Sequence, residues 1–189
     1  MADVSVARDQ SSGIEASDIM FGKTVNFIRK EQDPQVELSH LFSRLDFVIE
    51  TTYPADDFDV VVLSDVELGG TYNAEECVLT LSGEKGQVKS AGKFAAAEDG
   101  LLKGVSAIIP PQTLKAGDFA NIMIGGSEYT LTLDEDLVLE AGKVAQVTFS
   151  ITAEPGQQVE VSVPYATGKK RSSTFLLENC CLQGKPLRT

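Results

Sequence analysis

Tryptophan is absent from this 189-residue chain, histidine occurs once, and cysteine occurs three times. With His40 alone, any chemistry that needs two imidazoles is excluded. A metal site would have to take its other ligands from cysteine or carboxylate. Cys77, Cys180 and Cys181 are an odd set with two adjacent members. They form no disulfide framework and no C-x2-C chelate, and they do not reveal the compartment. No apolar run approaches the roughly 18 residues of a membrane-spanning helix. Met1 is followed by "ADVSVARDQSS", which has neither a basic n-region nor an apolar h-region, so no signal peptide is read. Basic residues are also scarce, at 16 against 28 acidic ones, for a net charge of −12 and a pI near 4.5. Nucleic acid and anionic membrane are therefore repelled by most of the molecule.

Hydrophobic residues make up 42% of the chain and mean hydropathy is −0.02, the values of a globular protein with a core. The main ordering signal is alternation of period two. "SEYTLTL" puts Tyr129, Leu131 and Leu133 on one face, and "QVTFSIT" does the same with Val147, Phe149 and Ile151. "QVEVSVP" repeats the pattern with Val159, Val161 and Val163. "FDVVVLSDV", from Phe58, is apolar enough to predict a strand buried on both sides. These short segments, rich in Val, Ile, Thr and Phe and bounded by Gly, Pro or Asp, predict an all-β, antiparallel sandwich with Greek-key type connections. No 12-residue window has helical periodicity; "AGKFAAAEDG" is read as at most a short helical turn.

Turn chemistry agrees. Gly125-Gly126 between "NIMI" and "SEYTLTL" predicts a type I′ hairpin, because glycine accepts positive φ at both central positions. "EAGK" (140–143) separates two further strands, and Pro110-Pro111 ends "VSAII". In "VELSHLFSRLDFVIE" (36–50), Val36, Leu38, His40 and Phe42 have one parity and Leu45, Phe47 and Ile49 the other. That predicts a bulge or break near Ser43, with His40 a core histidine on the inward or edge side of a bent strand.

No catalytic, cofactor-binding or metal-ligating residue is assigned. No G-x-S-x-G elbow accompanies His40. "DDFD" (56–59) and "DEDL" (134–137) lack the calcium-loop spacing, with Val61 and Val138 at the third ligand positions, and read as solvated turns. "ATGKKRSS" lacks the first glycine of a P-loop and has Lys170 where Ser or Thr is required. Nothing argues for an enzyme, and no cofactor is expected. From Lys169 onward the chain holds five basic residues and one acid, against 11 basic and 27 acidic before it. It is read as a basic, poorly ordered tail.

Several stretches, taken in order, resemble the fimbrillin family of pilus subunits and pilus-associated lipoproteins of Bacteroides-type bacteria. "DQSS" (9–12) followed by "SDIMFG" (17–22) is similar to the family's link between two strands of its N-terminal domain. His40, Leu41, Ser43, Arg44 and Leu45 resemble a family strand with a histidine, an aliphatic and a small-basic-aliphatic group. "IIPPQTL" (108–114) is similar to the segment before the next hairpin, and "IMIGGSEYTLTL" and "LEAGKVAQVTFSIT" to the closing strands. The resemblance covers residues 4 to 152. It implies a transthyretin-like sandwich over 1–152 with its first strands missing, an extra strand or second-domain start at 153–168, and a tail at 169–189. It further implies a non-enzymatic role at the cell surface or outer membrane and assembly with other pilus subunits by β-strand exchange. Arg8 does not match the family's processing arginine. Missing first strands would leave an apolar groove open to a donor strand. A monomeric sandwich adhesin binding a glycan or host protein is the alternative.

Overall fold

The computed structural model describes residues 1–26, 35–151 and 160–161. Two sheets form the body. One is built from β4 (Ser43–Thr51), β9 (Ala91–Ala96), β10 (Leu102–Ile109), β15 (Val144–Ile151) and β16 (Glu160–Val161), in the order 16-15-4-10-9. The other contains β5 (Phe58–Glu67), β8 (Lys85–Lys89), β12 (Gly117–Ile124) and β13 (Ser127–Leu133), in the order 13-12-5-8. Three small sheets flank them: β1 (Ala2–Ser5) with β6 (Gly69–Asn73) and β7 (Val78–Leu81), β2 (Met20–Asn26) with β3 (Gln35–His40), and β11 (Thr113–Leu114) with β14 (Leu137–Val138).

The alternating segments bury the faces that the sequence assigns. Val147, Phe149 and Ile151 of β15 are buried, as are Leu131 and Leu133 of β13, while Tyr129 is half-buried. Phe149 stacks on Phe47 of β4 and on Phe119 of β12, with ring centroids 6.3 Å apart in each case. The second contact crosses between the layers, so one aromatic joins both sheets in a single core. Pro110 follows β10 directly, and Gly125 and Gly126 turn β12 into β13 with φ of 56° and 81°.

Four features differ from the sequence reading. The pair β4–β15 is parallel over all eight residues of β15. The cause lies in the "EAGK" turn. Ser43 Oγ donates to the Glu140 carbonyl (2.6 Å), Arg44 N–H to Lys143 (3.0 Å), and Gly142 N–H to Phe42 (3.0 Å). These bonds hold the starts of both strands at one end of the sheet. β5 buries Phe58, Val61, Leu63 and Val66 but leaves Val60, Val62 and Ser64 half-covered, so it is not buried on both sides. Its register slips between Leu63 and Val66, where Asp65 takes φ of 54°. "AGKFAA" is strand rather than helical turn: tertiary pairing with β10 and burial of Ala91 and Phe94 override the helix propensity of its alanines. Finally, the break expected near Ser43 is present at Leu41-Phe42, but Val36, Leu38 and His40 before it are exposed. Val159 and Val163, the tail from Lys169, "ATGKKRSS", Cys180 and Cys181 lie outside the described residues.

Gln10 links the N-terminal segment to both layers. Its side chain, 1% exposed, accepts from Ile108 N–H at 2.9 Å and donates to the Ile108 carbonyl at 2.7 Å. Its own N–H donates to the Lys89 carbonyl at 3.0 Å. β9 pairs with β10 only as far as Ser106, so the Gln10 amide stands in for a neighbouring strand at Ile108. Replacing Gln10 with leucine removes both partners from a buried peptide group. The expected loss is about 2–4 kcal/mol by urea unfolding, against less than about 0.5 kcal/mol for the exposed Gln87→Ala.

Candidate functional site

Two surfaces stand out. The first is the ribbon formed by β2 and β3. Its register pairs Met20 with His40 and Gly22 with Leu38, so with Val36 two residues before Leu38 these residues share one face. Met20, Val36 and Leu38 are 53%, 56% and 60% exposed. Gly22 makes room for them: a Cβ there would stand 2.8 Å from Val36 Cγ1 and 3.0 Å from Leu38 Cδ2. Three large apolar side chains on one solvent-facing ribbon form an apolar patch rather than a scatter of single exposed residues. The opposite face is anchored, with Phe21 meeting Tyr72 of β6 edge to face at 4.9 Å.

His40 sits at the base of this ribbon, and the structure corrects the sequence reading of a core histidine. Its side chain is 52% exposed, and its Nδ1 lies 2.6 Å from Asp18 Oδ1. The adjacent Leu41 N–H donates to the Ile19 carbonyl at 2.8 Å. The two contacts fasten the end of β3 to the segment that leads into β2. Among the described residues, no group of three or more His, Cys, Asp or Glu is placed to hold a metal.

The second surface is a cleft of about 700 Å³ where the 3-10 turn Ala55–Asp57 meets the β12–β13 hairpin. Gly125 N–H donates to the Asp57 carbonyl at 2.8 Å, which joins the two loops. Asp56, Asp57, Asp59, Lys89, Lys93 and Met123 are among its lining residues. The "DDFD" turn thus buries Phe58 and presents its carboxylates to solvent. Carboxylates and ammonium groups that form no ion pair with each other face one opening. Such a lining suits a polar ligand with both donors and acceptors.

Other sequence features have structural roles. "DEDL" caps a loop contact: Asp136 accepts from Lys115 Nζ at 2.7 Å and from Ala116 N–H at 3.0 Å. Arg8 pairs with Glu84 at 2.7 Å, and Cys77 is exposed with φ of 56°. Sequence reasoning missed both surfaces. The ribbon's apolar alternation reads like that of a buried strand, and the cleft joins loops from distant parts of the chain.

The sandwich with its β2–β3 ribbon and loop cleft defines an all-β protein, and comparison with known proteins gives the family. The fimbrillin-like family matches residues 1–164, and the chain belongs to it. A cell adhesion protein, provisionally so described, from Bacteroides uniformis superposes with a TM-score of 0.53 at 13% identity, covering 92% of this chain and 65% of that one. Similarly described proteins of Bacteroides thetaiotaomicron and Bacteroides fragilis give TM-scores of 0.47 and 0.49 at 17% and 12% identity, covering 73% and 76% of this chain. The chain spans 60% and 48% of the length of those two. Among curated proteins, none matches.

The hydrogen bond from Lys115, and then that from Ala116, holds the Asp136 carboxyl below its ordinary value of 3.8. A carboxyl with a depressed folded-state pKa stabilises the fold above the ordinary value, and that contribution is lost as pH falls through the depressed one. Lys115→Met is expected to move the Asp136 titration up toward 3.8, read by carboxyl NMR, and to shrink the part of the stability that this carboxyl contributes above 3.8 and loses in acid.

Proposed function

We propose that the chain is a structural component of cell-surface pili, a fimbrillin-like subunit or tip protein that joins its neighbours by β-strand addition. The observation that carries this reading is the family match over residues 1–164. The β2–β3 ribbon supports it. Both outer edges of this two-stranded sheet are unpaired among the described residues, and Met20, Val36 and Leu38 offer apolar area beside those edges. An incoming strand would gain backbone hydrogen bonds along the edge and specificity from alternate side chains. The partners are other pilus subunits, and the location is the cell surface at the outer membrane. In this reading the sandwich domain spans 1–152, an extra strand or the start of a second domain spans 153–168, and a basic tail spans 169–189.

A second reading, a monomeric adhesin that binds a glycan or host protein, is favoured by the loop cleft with its mixed charges. The description of the B. uniformis protein as a cell adhesion protein agrees with it. Among the described residues, no feature favours an enzyme.

Size-exclusion chromatography with light scattering across a concentration series separates the two. A pilus subunit is expected to give a ladder of oligomers. The double variant Val36→Ser/Leu38→Ser should shift that ladder to about tenfold higher protein concentration, the change expected for loss of about 1.4 kcal/mol of association energy. A strict monomer at every concentration, together with glycan binding abolished by Asp57→Asn/Lys93→Ala, overturns the subunit reading in favour of the adhesin.

A further inference from the structure

Two strand distortions frame the loop cleft. In the β5–β12 pair, Ile122 stands opposite Val61 and Ile124 opposite Phe58, so Asp59 and Val60 together face Met123. In the β9–β10 pair, Val105 stands opposite Gly92 and Lys103 opposite Ala95, so Lys93 and Phe94 together face Gly104. Each is a β-bulge, with two residues set against one. In regular strands Asp59 would share the buried face of Val61 and Leu63, and Lys93 that of Ala91. The bulges exchange them with their neighbours. Phe58 and Phe94 enter the core, where their rings meet edge to face at 6.1 Å, and Asp59 and Lys93 are exposed. An acid from one sheet and a base from the other are thus turned out into the same opening.

The lining restricts what fits there. Its volume of about 700 Å³ lies within the roughly 300–1,000 Å³ of small-ligand sites. Asp59 Oδ1 accepts from Val60 N–H at 2.7 Å, which orients the carboxylate and leaves Oδ2 to accept from a ligand. Arg8, Arg44, Lys85, Lys103 and Lys115 each pair with a carboxylate, whereas Lys93 forms no ion pair among the described residues. Its ammonium therefore keeps its donors for a ligand. Phe58, Phe94 and Met123 add apolar surface. Asp56, Asp57 and Asp59 outnumber Lys89 and Lys93 in a chain of net charge −12, so an anion is disfavoured. A ligand that only donates would leave the lysines without acceptors. A neutral polyol suits both sets, because a hydroxyl donates to a carboxylate and accepts from an ammonium while the C–H face of a sugar ring covers the apolar part.

We propose that this cleft binds an uncharged sugar residue of a glycan, with Asp59 accepting from one ring hydroxyl and Lys93 donating to another. The inference rests on the adhesin reading and deepens it: it names the class of ligand and the two bulge residues that select it. It does not depend on strand addition at the ribbon, and a tip subunit would use both surfaces.

Amide chemical-shift titration of the 15N-labelled full chain tests it. The probes are methyl β-galactoside, methyl α-mannoside and N-acetylglucosamine as neutral sugars, glucuronic acid as an acidic one and glucosamine as a cationic one. At least one neutral sugar should give saturable shifts at residues 57–60, 92–94 and 125–126 by about 50 mM, as a millimolar Kd requires. Asp59→Asn and Lys93→Met should each weaken that binding about tenfold, since each removes a charge-assisted hydrogen bond. Both positions are exposed, and unchanged amide shifts elsewhere in each variant verify its fold. Raising salt from about 0.05 to 0.5 M should leave the affinity within about twofold, because the ligand carries no net charge to screen. Cleft shifts with glucuronic acid or glucosamine as the tighter ligand would overturn the uncharged class and leave the adhesin reading standing. Neutral-sugar binding that survives both substitutions would overturn the cleft as its site. No cleft shift with any of the five probes would overturn the proposal and leave the adhesin reading with a host protein as its ligand.

Discussion

The peptide unit of Ile108 sets a constraint that the fold has to meet. It lies in the buried half of β10, beyond the reach of β9, and an unpaired amide there is costly. The chain meets it with the Gln10 side chain, brought in from a segment 98 residues away in sequence. To be there, residues 8–10 must run beside β8, where Lys89 N–H donates to the Arg8 carbonyl at 2.8 Å. Ser17, also buried, accepts from Ala7 N–H at 2.9 Å and fixes the turn that leads into β2. The course of the N-terminal segment, and through it the root of the projecting ribbon, thus follows from one buried backbone group.

The same device recurs at Gln112, whose side chain accepts from Glu67 N–H at 2.9 Å and donates to the Pro110 carbonyl at 3.1 Å. At Ser90 the chain passes from one sheet to the other. Its hydroxyl accepts from Val61 N–H at 2.9 Å as its own N–H donates to the Val61 carbonyl at 2.9 Å. Side-chain amides and hydroxyls fill the gaps where strands change sheets and no backbone partner is available. Elsewhere the gap is closed by bringing strands nearer. A Cβ at Gly69 would lie 2.2 Å from the Val4 carbonyl oxygen, and one at Gly70 would lie 2.1 Å from that of Thr80. Only glycine lets β6 approach β1 and β7 so closely.

Two of the short motifs that resemble the family sit at these junctions. "DQSS" and "IIPPQ" look unremarkable as composition, yet each contains the glutamine that satisfies a sheet junction. Their order along the chain encodes which segments meet. The candidate surfaces differ in kind. The ribbon's apolar residues and the cleft's Asp56, Asp57 and Lys93 lie exposed at the surface, where other molecules can reach them.

The sequence alone determined the all-β class, the I′ turn at Gly125-Gly126, the end of β10 before Pro110, the buried faces of β13 and β15, and the break after His40. Each of these is set by period-two alternation or by the backbone limits of glycine and proline, which act within a few residues. Tertiary structure decided the rest. The "EAGK" turn is tied to the start of β4, and this makes β15 parallel to it. "AGKFAA" became a strand because β10 offered an edge and the core accepted Phe94. Val36, Leu38 and His40 carry the alternation of a buried strand and still face solvent. Periodicity states which side chains share a face, but whether anything covers that face depends on segments far away in the chain.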